Sequence, residues 1–135
     1  SIERIRKLSD IMDTAEALRI SLLKNLAKEL GIWIIALSQL NRNNDNPVPN
    51  LNRLRDSGQI AEAADVVAFV YRPEYYGRTF PEPFESVPVQ DRAMIDIAKG
   101  RNIGTTRFIC RFDKRITFFS DMEDENKDFS KYEPF

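Results

Sequence analysis

The chain has 135 residues, enough for one domain with a hydrophobic core, and its 20 basic and 21 acidic residues give a formal net charge of −1. Such a balance excludes a basic tail, so any polyanion must be bound by a local patch. The sequence has no histidine and a single cysteine, Cys110, which excludes an internal disulfide and Ser–His or Cys–His nucleophile pairs and argues against a zinc site. We expect Cys110 to be a core residue of a strand.

Neither a membrane span nor a secretory signal is recognisable in the sequence. No apolar run approaches the roughly 20 residues that a transmembrane helix needs, and no signal peptide is visible. The expectation is a cytoplasmic protein with no membrane partner.

Helical periodicity dominates the N-terminal part. A short helix is predicted within Ser1–Asp13, and the leucines of Ala15–Leu30 share one face of a longer helix that stops at Gly31. The apolar run Ile32–Arg42 then predicts a buried parallel strand that ends in polar residues. A helix, a glycine and a buried strand form the second half of a βαβ unit. The preceding strand is therefore expected upstream of Ser1, in a longer protein.

The middle of the chain alternates between loops and short elements. Asn43–Asn52 is predicted to be a surface loop and Gln59–Ala64 a short helix. Asp65–Tyr71, rich in valine and aromatic residues, predicts a second buried strand. Three prolines in Glu74–Arg92 indicate a long loop, on which the aromatic end of that strand should pack.

The C-terminal part has the pattern of a hairpin. Ala93–Ala98 predicts a third strand, and Thr105–Phe112 alternates apolar and polar residues before Ile116–Phe119 pairs back on it. Asp121–Phe135 is acidic and lacks periodicity, which is typical of a flexible tail. The expected fold class is α/β, with a mostly parallel central sheet, flanking helices and a C-terminal β-hairpin. Residues 1–120 would form one domain and residues 121–135 the tail.

Three polar stretches near the strand ends are the most specific feature of the sequence. They are Ser38-Gln39-Leu40-Asn41-Arg42, Leu54-Arg55-Asp56-Ser57-Gly58 with Ala64-Asp65-Val66-Val67, and Ala98-Lys99-Gly100-Arg101-Asn102. In this order they resemble the C-terminal ATPase domain of the replicative DNA helicases of the DnaB family. That resemblance covers most of Ala15–Phe119 and implies a partial RecA-like P-loop NTPase fold.

The resemblance implies catalytic roles for three residues. Gln39 would sense the γ-phosphate of ATP or its attacking water, and Lys99 and Arg101 would reach across a subunit interface to the neighbour's nucleotide. The residues alone favour the other interpretation, in which Gln39 is a strand-end amide that caps loose backbone groups. Lys99 and Arg101, two positions apart on extended chain, point the same way and form either a phosphate clamp or a solvated face.

The resemblance also implies a loop that contacts single-stranded DNA. Arg55, Asp56 and Gly58 lie in it, and Arg42 is a further loop cation, near DNA or simply solvated. An arginine and close backbone suit phosphate contacts, whereas Asp56 would order the loop. The alternative for this stretch is a helix start capped by Asp56 or Ser57.

Parts of the family pattern are missing from the sequence. It contains no GxxxxGK[ST] loop and no strand ending in aspartate before the Ala15–Leu30 helix. ATP and Mg²⁺ are therefore expected cofactors of a longer parent protein, and this chain alone should neither bind ATP tightly nor hydrolyse it. The family's usual proline after the lysine-x-arginine-asparagine-glycine segment is also absent, because Ile103-Gly104-Thr105 follows Asn102.

The parent would be a homohexameric ring that couples ATP hydrolysis to 5′-to-3′ movement along single-stranded DNA and to duplex unwinding. Its expected partners are the neighbouring subunits, single-stranded DNA, a primase and a helicase loader. Two alternatives stay open. One is a RecA-like recombinase ATPase, and the other is a stand-alone, non-enzymatic module for DNA binding or ring assembly.

Overall fold

The computed structural model describes residues 18–40 and 45–122, without the side chains of residues 55–59. The predicted helix within Ser1–Asp13, the start of the helix at Ala15, Arg42 and residues 123–135 of the tail lie outside this part. Residues 18–30 are helical and are called α1. The elements that follow are a 3₁₀ helix (Leu51–Ser57), α2 (Gly58–Ala63), β1 (Val66–Tyr71), α3 (Pro73–Tyr76), β2 (Arg92–Gly100), β3 (Thr106–Asp113) and β4 (Phe118–Ser120).

The four strands form one antiparallel sheet in the order β1-β2-β3-β4. Parallel neighbours require a crossover, usually a full helix, whereas the connection from β1 to β2 contains only the four-residue helix α3. The strand β2 accordingly returns beside β1 in the opposite direction. The α/β class is confirmed, but the mostly parallel sheet is not confirmed by the described residues. All four later strands exist, with ends shifted by at most two residues, and the C-terminal hairpin is confirmed.

Residues 32–40 contradict the prediction of a buried strand. They belong to no strand, and the side chains of Trp33 and Leu37 are each 96% exposed. The leucines of α1 are also exposed, and even the least exposed of them, Leu26, is 42% exposed. An apolar run becomes a buried strand only when neighbouring strands satisfy its backbone groups and cover its faces. The described part of the sheet provides no such neighbour for residues 32–40.

The end of α1 follows the prediction. Gly31 has a φ of +63°, and the N–H of Ile32 donates to the carbonyl oxygen of Ala27 at 3.0 Å. This bond and the left-handed glycine are the signature of a Schellman cap, in which Gly31 ends the helix.

One face of the sheet is covered by the long connection between β1 and β2. Tyr71, Phe80 and Met94 form a fully buried cluster, against which Phe84, Val87 and Val89 pack. Burying a side chain of this size contributes about 1.5–3 kcal/mol. The predicted packing of the aromatic strand end on the long loop is confirmed, and burial raises the pKa of Tyr71 above its usual value.

The opposite face carries a second cluster near the hairpin. Ala93, Cys110 and Phe112 are buried, which confirms the core position of the cysteine, and burial raises the pKa of its thiol. In the hairpin turn, hydrogen bonds from the side chain and the backbone of Arg115 lower the pKa of Asp113 to about 2. The hairpin therefore has its own core and its own ion pair, separate from the end of β2 that carries Lys99.

Candidate functional site

A small hydrophobic cluster joins the three polar stretches. Its buried members are Leu54, Val67 and Phe69, and Leu40, Ala61, Ala64 and Ala98 pack against them. We call these seven residues the junction cluster. Leu40 belongs to the first stretch, Leu54 to the second and Ala98 to the third, although 58 positions separate Leu40 from Ala98 in the sequence. Apolar packing therefore joins the three stretches, and the pairing of β1 with β2 adds to it between the second and the third.

Two site residues flank Leu40 in the first stretch. Gln39 directly precedes Leu40 of the junction cluster and is itself exposed. Its amide can both donate and accept hydrogen bonds at the surface. Because residues 32–40 form no strand, the predicted strand-end position of Gln39 is wrong, but its place beside the other two stretches is preserved. Arg42 lies outside the described residues.

The second stretch is more regular than predicted. Arg55 and Asp56 belong to the 3₁₀ helix Leu51–Ser57, and Gly58 is the first residue of α2. The backbone N–H of Arg53 donates to the side-chain oxygen of Asn50 at 3.1 Å, which caps the start of the 3₁₀ helix. The segment thus turns directly from one short helix into the next.

Lys99 lies near the end of β2 and reaches the end of α2. Its ammonium group donates to the carbonyl oxygens of Ala61 and Glu62, at 2.7 and 2.9 Å. The last carbonyls of a helix lack partners within the helix and carry partial negative charge, so a lysine there is favourable. Two of the three ammonium donors are used in these bonds.

Arg101 lies in the tight turn after β2 and contacts Asp65, which lies between α2 and β1. Its backbone N–H donates to the carbonyl oxygen of Asp65 at 2.9 Å, and its guanidinium Nη1 lies 3.2 Å from the carboxylate Oδ1. The side chain is 54% exposed. Lys99 and Arg101 therefore both reach the segment of residues 61–65, although only Lys99 lies within β2.

Lys24 is a third cation at this position, and the sequence reasoning missed it. Its ammonium group donates to the carbonyl oxygen of Ala63 at 2.7 Å and lies 3.4 Å from Oδ1 of Asp65. We call Lys24, Lys99 and Arg101 the basic corner. The only sequence signal for Lys24 was its position off the apolar face of α1, which many solvated lysines share. Asp65 was recognised only as part of a strand motif.

The basic corner has an excess of positive charge. Lys24 and Arg101 pair with Asp65, whose side chain is 64% exposed, and Arg101 is also half exposed. Lys99 adds a third positive charge at the adjoining end of α2. Concentrated positive charge with unused N–H donors suits phosphate groups, which accept several hydrogen bonds. The corner therefore has the chemistry of an anion site that a partner can approach.

Other features of the described residues lie away from this corner. A shallow recess of about 250 Å³, lined by residues such as Arg92 and Arg111, is at the beginning of β2 rather than at its end. Among the described residues, no group of three His, Cys, Asp or Glu side chains is arranged to hold a metal ion. No helix in that part of the chain is long and apolar enough to cross a membrane.

Similar sequences point to one family of helicases. A probable replicative DNA helicase of Trieres chinensis is 37% identical over 126 residues, which are 90% of this chain and 25% of that protein. The replicative DNA helicase DnaB of Rickettsia prowazekii (strain Madrid E) is 38% identical over 115 residues, 75% of this chain and 24% of the relative. The chain thus spans about a quarter of the length of these relatives.

Solved structures agree with the sequence comparison. One that is described as an ATPase domain has a TM-score of 0.66 and 32% identity, covering 79% of this chain and 36% of its own. A DnaB-like replicative helicase, described with its interactions with primase, has a TM-score of 0.61 and 33% identity over 73% of this chain and 23% of its own. The family described as the DnaB-like helicase C terminal domain matches residues 5–121. This chain therefore belongs to the DnaB-like helicase C-terminal domain family.

Proposed function

We propose that the chain is the distal part of the ATPase motor of a replicative DNA helicase, which couples ATP hydrolysis to movement on single-stranded DNA. The observation that carries this proposal is the junction cluster, because it gathers the polar stretches that resemble the family's sensor, DNA-binding and finger segments. Membership of the family supports it further. The rest of the motor, including the P-loop, would belong to a longer protein.

In this proposal Lys99 and Arg101 contact the phosphates of ATP held by the neighbouring subunit. The position of both residues on the basic corner supports this role, as does the 54% exposure of Arg101. Both side chains keep N–H donors beyond those used within the subunit. Bound ATP with Mg²⁺ would supply the γ-phosphoryl group, whose developing negative charge the two cations neutralise.

Gln39 is proposed to relay the state of the nucleotide to the DNA-binding segment. Its neighbour Leu40 packs against the buried cluster that contains Leu54, which directly precedes Arg55. A shift of Gln39 towards a phosphate would therefore pull on the same packed cluster that carries the 3₁₀ helix. Packed side chains transmit such shifts because dense interiors deform little.

The proposed partners are the neighbouring subunits of a homohexameric ring, single-stranded DNA, a primase and a loader. A relative's structure described with primase supports the primase. The half-exposed guanidinium of Arg101 supports a subunit interface, since its charge is accessible to another chain. Arg55, Asp56 and Gly58, with Arg42 as a further cation, would form the DNA-binding loop.

Arg55→Ala in the longer helicase is expected to weaken binding to all single-stranded DNA sequences. The slope of log affinity against log salt should become shallower by about one, because one phosphate fewer is neutralised and fewer counterions are released. Fluorescence anisotropy with labelled oligonucleotides at several salt concentrations measures both effects. Arg115→Ala is the matched control, because it removes the same charge from an exposed arginine of the hairpin turn. An unchanged slope in Arg55→Ala would contradict the DNA-binding assignment.

The 135-residue chain alone is expected to show no ATP hydrolysis above background. The arginine and lysine of the basic corner can neutralise charge, but they cannot by themselves hold a nucleotide in line with an attacking water. A phosphate-release assay with and without single-stranded DNA measures turnover. Turnover that co-purifies with the chain and disappears in Arg101→Ala would contradict the proposal that the rest of the motor is required.

A further inference from the structure

Asp65 is the one acidic residue in contact with the cations of the basic corner among the described ion pairs. Its backbone carbonyl accepts from the N–H of Arg101, and its carboxylate Oδ1 lies 3.2 Å from the guanidinium of the same residue. Arg101 is therefore held at two points, one on the backbone and one at the end of its side chain. The first fixes the turn and the second fixes the direction of the guanidinium.

The carboxylate of Asp65 is shared with Lys24. The ammonium group of Lys24 lies 3.4 Å from the same Oδ1 and donates to the carbonyl oxygen of Ala63 at 2.7 Å. A bare carboxylate beside a phosphate site would repel the phosphate. With Lys24 beside it, Asp65 can orient an arginine and still leave the corner net positive.

The ion pair between Asp65 and Arg101 has the properties of an orienting contact rather than a stabilising one. Both side chains are more than half exposed, and exposed pairs contribute little to folding. An arginine on a surface turn loses considerable rotamer freedom when it must meet a ligand in one geometry. A partner that restricts the guanidinium beforehand removes part of that cost.

The contact uses only one edge of the guanidinium. Nη1 meets Asp65, whereas a guanidinium has five N–H donors arranged in a planar fork. Arg101 can therefore keep Asp65 on one edge and contact a phosphate with the other. The carboxylate and the phosphate need not compete for it.

We propose that Asp65 is a positioning residue for Arg101, and that Lys24 supports it by neutralising the same carboxylate and tying it to the end of α2. This inference rests on the proposed function, because it presumes that Arg101 contacts a nucleotide of the neighbouring subunit. It adds two residues to the site, neither of which contacts the reacting atoms. It also links the finger to α2, whose first residue is Gly58 of the proposed DNA-binding loop.

The test is steady-state ATP hydrolysis by the longer hexameric helicase with saturating single-stranded DNA. Asp65→Asn keeps the shape and an acceptor but removes the charge. It is expected to lower kcat roughly tenfold and to leave the KM for ATP within about twofold. An Arg101 side chain that Asp65 no longer orients would lose contacts that form only in the transition state, and such a loss reduces kcat rather than ATP binding. Asp65→Glu is expected to restore most of kcat. Lys24→Met should lower kcat by about threefold in the same pattern.

The matched control is Asp113→Asn, which removes a carboxylate from a comparable Asp–Arg pair in the hairpin turn. It should leave both kcat and KM unchanged. A purely structural role of Asp65 would lower the melting temperature and the amount of assembled hexamer without changing kcat per hexamer, and this result would overturn the proposal. So would a kcat of Asp65→Asn within about twofold of the wild type.

Failure of this inference is distinguishable from failure of the proposed function. If Arg101→Ala abolishes turnover and Asp65→Asn does not reduce it, only the positioning role is wrong. If Arg101→Ala leaves turnover intact, the proposed role of Arg101 as a finger is wrong, and the proposed role of Asp65 is then wrong as well.

Discussion

Replacing Arg101 with alanine is expected to reduce ATP turnover of the hexameric helicase by about 10³–10⁵-fold, the range known for arginine fingers in phosphate enzymes. Nucleotide affinity should stay nearly unchanged, because the finger stabilises the charge that develops only in the transition state. The half-exposed guanidinium, held by Asp65 on one edge alone, has the accessibility that such a role needs. Turnover is measured by phosphate release and affinity by titration with a fluorescent nucleotide.

Arg115→Ala is the control for this substitution. It removes an arginine that is also paired with an aspartate, but in the turn between β3 and β4. Turnover of this variant should match the wild type. A loss of nucleotide affinity in Arg101→Ala as large as its loss of turnover would argue that the arginine binds the ground state and is not a finger.

Gly100→Ala is expected to have the second-largest effect. A Cβ on Gly100 would overlap the carbonyl oxygen of Gly104 and the side chain of Ile103, and a backbone oxygen cannot move aside as a flexible side chain can. The turn between Gly100 and Gly104, which contains Arg101, must therefore open. Overpacking of this kind costs about 1–3 kcal/mol of stability. Turnover should fall by at least about tenfold, because the finger is displaced.

The measurements are urea unfolding of the chain and ATP hydrolysis by the hexamer. Gly77→Ala is the matched control, since Gly77 also follows the end of an element and has a φ of +61°, but a Cβ added there would meet open space. That substitution should cost about 1 kcal/mol of backbone strain and leave turnover intact. Equal turnover in both variants would show that the geometry of the turn after β2 does not matter for catalysis.

Local chemistry made several elements predictable from sequence. Gly31 ended α1 as expected, because glycine adopts the left-handed backbone conformation without steric strain. Cys110 was buried as expected, because it shares one face of β3 with Phe112. These features depend only on neighbouring residues.

The sequence did not predict the features that depend on contacts between residues far apart in the chain. The run of residues 32–40 has the composition of a buried strand, but a strand also requires neighbours, and Trp33 and Leu37 remain exposed. The parallel sheet was predicted from the buried, apolar composition of the strands, although the predicted loop Glu74–Arg92 leaves no crossover helix between β1 and β2. Lys24 joined the basic corner through contacts with residues 39 and 41 positions away. Nothing in its surroundings in the sequence distinguishes it from a solvated lysine.

In the proposed ring, the basic corner of one subunit acts on the nucleotide of the next. Mixing two inactive variants of the longer helicase tests it most directly: Arg101→Ala subunits and subunits whose P-loop lysine is replaced. In mixed rings, some interfaces combine an intact P-loop with an intact Arg101 from the neighbour. Our account predicts that ATP turnover reappears on mixing. Mixed rings that assemble but remain as inactive as either variant alone would contradict it, because Arg101 would then serve the nucleotide of its own subunit.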